Sequence, residues 1–228
     1  MPTPAEAVRG QLTVVTGAVA ADLATEAAQV APEKSLDAVL AALPSVVSTY
    51  YDAAAALAVS WYEELRDSTQ PQAVYSPAII GEPVTDWIER EVRQFQQSLE
   101  ADLEAELQRM TQEATILAEK EVARGFRATI IGNTHEDEEA IGWSRVARPG
   151  ACKFCTMLAA KGAVYTEATV DFAAHGNCHC ATRPEFRNGE HGPEATVEQY
   201  LASAKRRTPE QRAALREYLN YHYPDAPG

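Results

Sequence analysis

Residues 84–117 read VTDWIEREVRQFQQSLEADLEAELQRMTQEATIL. In them Val84, Ile88, Val92, Phe95, Leu99, Leu103, Leu107, Met110, Ala114 and Leu117 follow one another at steps of three or four. The mean step is about 3.67 residues, nearer a straight helix than the 3.5 of a left-handed coiled coil. Glu, Gln and Arg fill the gaps, which leaves the opposite face solvated. The pattern predicts one continuous helix of roughly 50 Å, at 1.5 Å per residue. Its stripe is too long for one compact core to cover, so part of it, or an Ala-rich face opposite it, is expected to meet another protein chain.

Working towards the N-terminus, residues 67–83 hold Pro71, Pro77, Gly81 and Pro83 around the short apolar pieces Ala73–Tyr75 and Ala78–Ile80. They read as a connector with one short extended piece. Before it, Val47, Tyr50, Ala54, Leu57, Trp61 and Leu65 mark one face of a helix that starts near Ser35 and ends near Arg66. Pro44 is expected to kink or split that helix. Val8, Leu12, Val15, Val19 and Leu23 mark another over residues 4–30, with Thr3 as cap, Pro4 at the first position and Pro32 as stop.

Towards the C-terminus the periodicity loosens after Gly125. The acidic run Glu136, Asp137, Glu138 and Glu139 reads as a solvated loop or helix start, because consecutive acids splay around a backbone. Helical pattern returns in Ala195–Ala204 and in Pro209–Tyr221, where Thr208 caps and Gln211 completes a capping box.

Composition narrows the classes of function. Alanine supplies much of the apolar content and aromatics are sparse, a balance that suits helices. The net charge of -13 repels nucleic acid and anionic lipid from the surface as a whole. No stretch approaches the roughly 18 apolar residues of a membrane span, so no membrane partner is expected. The N-terminus lacks the basic segment of a secretory signal, which leads us to expect a reducing, cytoplasm-like compartment.

In such a compartment clustered cysteines point to metal rather than disulfides. All four lie between positions 152 and 180, as Cys152-Lys-Phe-Cys155 and then His175-Gly-Asn-Cys178-His179-Cys180. A C-x2-C turn can supply two corners of a tetrahedral zinc site, and the second cluster can supply the other two. Soft thiolates and imidazole without a carboxylate suit zinc better than magnesium or calcium. Cys152, Cys155, Cys178 and Cys180 form the simplest tetrad, and His175 can replace one of them. Four protein ligands leave no open position, so the expected zinc is structural. The competing readings are buried free thiols beside a structural histidine, or a redox pair, for which the required βαβ context is not visible.

The run Gly142-Trp-Ser-Arg-Val-Ala-Arg-Pro-Gly-Ala-Cys152-Lys-Phe-Cys155-Thr-Met-Leu-Ala-Ala-Lys-Gly162-Ala-Val-Tyr165 resembles the core of the Mu F-like minor head proteins of tailed bacteriophages. So does Phe172-Ala-Ala-His175-Gly-Asn-Cys178-His-Cys180, followed by Pro184. It is most similar to the versions in phages of actinobacteria, often labelled capsid maturation protease or minor capsid protein. Trp61-Tyr-Glu-Glu-Leu-Arg66 is similar in a looser way. The resemblance implies a virion-head protein, assembled in the bacterial cytoplasm, that joins the prohead beside the portal, with portal, major capsid or scaffold protein as partners. The implied fold is mainly α. An elongated helical bundle or stalk over 1–120 precedes a small irregular α+β Cys/His zinc-knot module over 121–190, and C-terminal helices occupy 191–228.

Two enzymatic alternatives accompany the label. A protease needs a nucleophile, a base and an orienting group. Ser144 is present, with His135, His175, His179, His191 and His222, but neither Gly-x-Ser-x-Gly nor His-Glu-x-x-His occurs. No catalytic residue is assigned. A DNA-binding or nuclease-like reading rests on Arg145, Arg148, Lys153, Lys161, Arg183 and Arg187, which could contact the phosphates of packaged DNA.

Overall fold

The computed structural model describes residues 4–96, 103–148, 150–160, 165, 172, 180–189 and 208–226. It is mainly helical. Helices α1 (Pro4–Ala28), α2 (Ser35–Ser68), α3 (Asp86–Gln96) and α4 (Leu103–Glu136) precede strand β1 (Ala140–Val146). Helix α5 (Lys153–Ala160), strand β2 (Ala181–Phe186) and helix α6 (Pro209–His222) follow. No helix among the described residues is long and apolar enough to cross a membrane.

The 84–117 stretch is two helices rather than one. Lys120 Nζ lies 5.5 Å from the centroid of the Trp87 ring, whereas a continuous helix would hold these residues roughly 50 Å apart. The chain therefore doubles back, and Ile88 and Val92 of α3 enter the same core as Leu107, Met110 and Ala114 of α4. Periodicity alone cannot see such a reversal, because both arms of a helical hairpin present an apolar stripe at the same step. Leu99 and the side chains of Phe95 and Leu103 lie outside the description.

Helix α4 is the hub. It packs against α1, α2 and α3 and, near its C-terminal end, against both strands. From Glu121 to Thr134 every residue is buried or half-buried, and an element covered on all sides loses the one-faced pattern. That is why the signal loosens after Gly125. The division expected at 120/121 falls inside α4, and Ala181 and Phe186 of β2 belong to the same core as the bundle helices.

Helices α2 and α4 run parallel. Tyr51 lies against Gly125, where an added Cβ would stand 3.0 Å from its ring, Trp61 stacks on Phe126 at 5.9 Å, and Arg66 pairs with Asp137. Helix α2 passes through Pro44, which does not end it. That residue is exposed, so the carbonyl deprived of its amide partner can turn to water.

The connector returns along α4, antiparallel to it, without becoming a strand. Helix side chains take the place of a neighbouring strand. Asn133 accepts from the Ala78 amide at 2.9 Å and donates to the Ala78 carbonyl at 2.8 Å. Thr129 accepts from the Ile80 amide and Glu121 from the Val84 amide, while Arg124 donates to the Glu82 carbonyl. Glu121, Thr129 and Asn133 fall on one ridge of α4 at multiples of four residues, and Asp137, just past its end, continues the spacing. Gly132 lets the strap approach closely, since a Cβ there would stand 2.8 Å from Ile80 Cγ2.

Candidate functional site

The strands form a two-stranded antiparallel sheet with Trp143 opposite Pro184, Ser144 opposite Arg183 and Arg145 opposite Thr182. The register shifts between Ala140 and Gly142, and Gly142 has φ 141°, a conformation that favours glycine at a bulge. Side chains alternate between the two faces. Trp143 and Arg145 share one face, and Ser144, Arg183 and Glu185 share the other.

On the first face an aromatic stack gathers distant parts of the chain. Trp143 pairs through its backbone with Tyr165 and stacks on its ring at 4.3 Å. Phe172 leans on Trp143 at 5.9 Å. The Arg145 guanidinium lies 3.6 Å from the Phe172 centroid, and Arg127 of α4 reaches the same ring at 4.7 Å. Such contacts are strongest when the cation is withdrawn from water, and both arginines are buried.

The cysteines lie beside this stack. Cys152 precedes α5, and its sulfur accepts the Cys155 amide at 3.4 Å, capping the first turn of the helix. Arg145 Nη1 donates to Cys155 Sγ at 3.6 Å. Cys155 and Cys180 are buried in one small cluster with Ala151, and Cys152, Ala147 and Phe172 pack against it. The structure thus brings Cys152 and Cys155 together with Cys180 from two parts of the sequence. His175, Cys178 and His179 lie outside the described residues. Among the described residues no group of three His, Cys, Asp or Glu side chains is placed to hold a metal ion. Three sulfurs are the kind of donor a soft cation takes, and among the described residues Ala147, Ala151, Phe172 and Arg145 lie against them.

Among the described residues the basic side chains do not form a stripe. Arg145 turns inward onto Phe172 and Cys155, which removes it from a phosphate-binding surface. Arg183 is partly buried, with Nε 3.8 Å from Glu185. Lys153 bonds to Asn220 of α6 at 2.8 Å. Arg148 is half-buried and Arg187 exposed, and Lys161 lies outside the described residues. Ser144 donates a hydrogen bond to Glu185, a buried carboxylate on β2.

A second cluster joins this module to the bundle. Asp137, in the acidic run expected to be solvated, is buried. It accepts from Arg66 Nε at 2.7 Å, from the Tyr62 hydroxyl at 3.2 Å and from the Glu139 amide at 3.1 Å. Arg66 also donates to the Ala73 carbonyl at 2.7 Å. The hydrogen bond from Arg66 to Asp137 raises the guanidinium's pKa, and burial, reinforced by Asp137, raises that of the Tyr62 phenol. Sequence reasoning missed this cluster. Its trace was the polar ridge at four-residue steps on α4, together with the Trp61–Arg66 motif.

Fold and site define a mainly helical protein that carries a small cysteine-bearing, two-stranded module against one end of its bundle. The chain belongs to the VG15 protein family, a viral protein family, which matches residues 2–203. That membership makes a phage protein the coarse reading. No curated protein and no solved structure matches the chain.

Proposed function

We propose that this chain is a minor head protein of a tailed phage, acting in prohead assembly beside the portal or capsid protein, with a structural zinc site in its two-stranded module. Membership of a viral family over residues 2–203 is the observation that carries the viral half of this reading. The Mu F-like run from Gly142 to Cys180 supports the finer assignment. Cys152, Cys155 and Cys180 would hold the ion with Cys178 or His175, and the metal would supply a cross-link between α5 and the chain entering β2. Arrangement at Ser144 favours a structural part over a protease, because the hydroxyl meets a buried carboxylate in an ordinary cross-strand contact.

Co-expression with the portal protein of the same phage tests the assignment. The two should co-purify as a complex, and proheads isolated from infected cells should contain the chain in a few copies. Proheads that lack the chain, together with no complex with portal or capsid protein, would remove the head-protein reading.

A further inference from the structure

The connector between α2 and α3 turns one backbone edge to α4 and the other to solvent. Ala78, Ile80, Glu82 and Val84 all bond through backbone groups to α4 side chains. Alternate residues of an extended chain face opposite sides, so the backbone groups of Pro77, Ile79 and Gly81 face away. Gly81 has φ 85°, as glycine does at a bulge, and the even-numbered residues keep facing α4 on both sides of it. Among the described residues neither the Ile79 nor the Gly81 amide has a hydrogen-bond partner, and both residues are exposed. Three of the seven large apolar side chains exposed among the described residues lie on this strip, Val74 at 98%, Ile79 at 49% and Val84 at 50%. An open apolar edge of this kind is a template for another strand. We propose that a second copy of this chain covers it, the two connectors pairing antiparallel about a two-fold axis at Ile79.

The sequence is self-complementary in that register. Ile79 meets Ile79 of the second copy, and each amide donates to the other's carbonyl. Gly81 stands opposite Pro77 of the second copy, so its amide is answered by a carbonyl whose own residue has no amide to offer. Val74 stands opposite Val84 of the second copy, and the two-fold axis repeats every contact. All three exposed apolar side chains therefore pair among themselves, and a slip of one residue would undo every pair. Charge argues for the same occupant. No charged residue lies between Asp67 and Glu82. Glu82 would face Ser76 of the second copy, and Asp86 would face Gln72, so two chains of net charge -13 meet with no acid opposite an acid. A strip this short buries less than the roughly 1,600 Å² of a standard interface, so the dimer is a weak one that depends on concentration. The inference is independent of the zinc and head-protein readings.

Sedimentation velocity on the full chain, at concentrations up to roughly 100 µM, should show a dimer that grows with concentration. Val74→Lys/Val84→Lys sets like charges across both valine contacts. It should weaken the dimer by more than about tenfold, although it lowers the net negative charge of the chain. Val74→Lys/Val84→Glu sets opposite charges across the same contacts and should restore the dimer, until added salt screens the pairs. Both side chains are exposed and Val84 bonds to α4 through its amide, so the variants should keep the circular dichroism of the wild type. Where they do not, Ile79→Lys at the axis carries the test, and it should be monomeric. A wild-type chain that stays monomeric, or a dimer that the substitutions leave unchanged, would overturn the proposal. A dimer abolished equally by both double variants would also overturn it, because opposite charges would then have failed to meet across the axis.

Discussion

Asp137→Ala should destabilise the protein by about 3–5 kcal/mol, the range for removing one partner of a buried ion pair. The mutation leaves the Arg66 guanidinium buried with its bond to the Ala73 carbonyl. It takes one acceptor from Tyr62 and one from the Glu139 amide. Loss of charge balance should outweigh the volume change. Urea denaturation followed by circular dichroism measures the effect, and the double variant Arg66→Met/Asp137→Ala should recover much of it, since an apolar replacement of both partners leaves no charge stranded. A cost below about 1 kcal/mol, the range of exposed pairs, would mean that water reaches the pair.

If the proposed zinc is bound, Cys155→Ala should release it and loosen the 140–186 module while the bundle stays folded. Structural zinc sites contribute about 10–16 kcal/mol of apparent binding free energy in small peptides, far more than a two-stranded sheet contributes by itself. Hydrogen exchange should rise most in α5, which carries Cys155, and remain slow in α2 and α4, because Ala181 and Phe186 tie β2 to the bundle core while Cys155 and Cys180 form a cluster of their own. Prohead assembly should fail in this variant and persist in Ser144→Ala, which costs only a cross-strand hydrogen bond to Glu185. Loss of head-protein cleavage in Ser144→Ala alone would bring the protease reading forward. Unchanged exchange in Cys155→Ala would show that the module is held without metal.

Much of the helical architecture was legible in the sequence because amphipathic helices announce themselves. Val8, Leu12, Val19 and Leu23 are buried along α1 as their spacing requires. Thr208 and Gln211 form the capping box expected of them, with Pro209 inside the first turn. What failed to show was tertiary. The reversal between α3 and α4 preserves the three-and-four step, so one helix and a hairpin read alike until Trp87 meets Lys120. Asp137 read as solvated because it stands in a run of four consecutive acids, and the approach of Arg66, 71 residues away, with the Tyr62 hydroxyl makes its burial tolerable. Arg145 read as a phosphate contact because it stands among other basic residues in the sequence, whereas its guanidinium is buried on Phe172 and Cys155. A charged residue's partner is a property of the fold, and its own sequence neighbourhood says little about it. The cysteine spacing was the most informative local signal, and the structure gathers the three described cysteines into one cluster.

Zinc content tests the central claim most directly. The full chain, purified without added metal or chelator, should carry close to one zinc per chain by elemental analysis, as expected for a complete thiolate-rich ligand set. Less than about 0.2 zinc per chain after gentle purification would contradict it, because structural sites of this class hold their ion tightly at neutral pH.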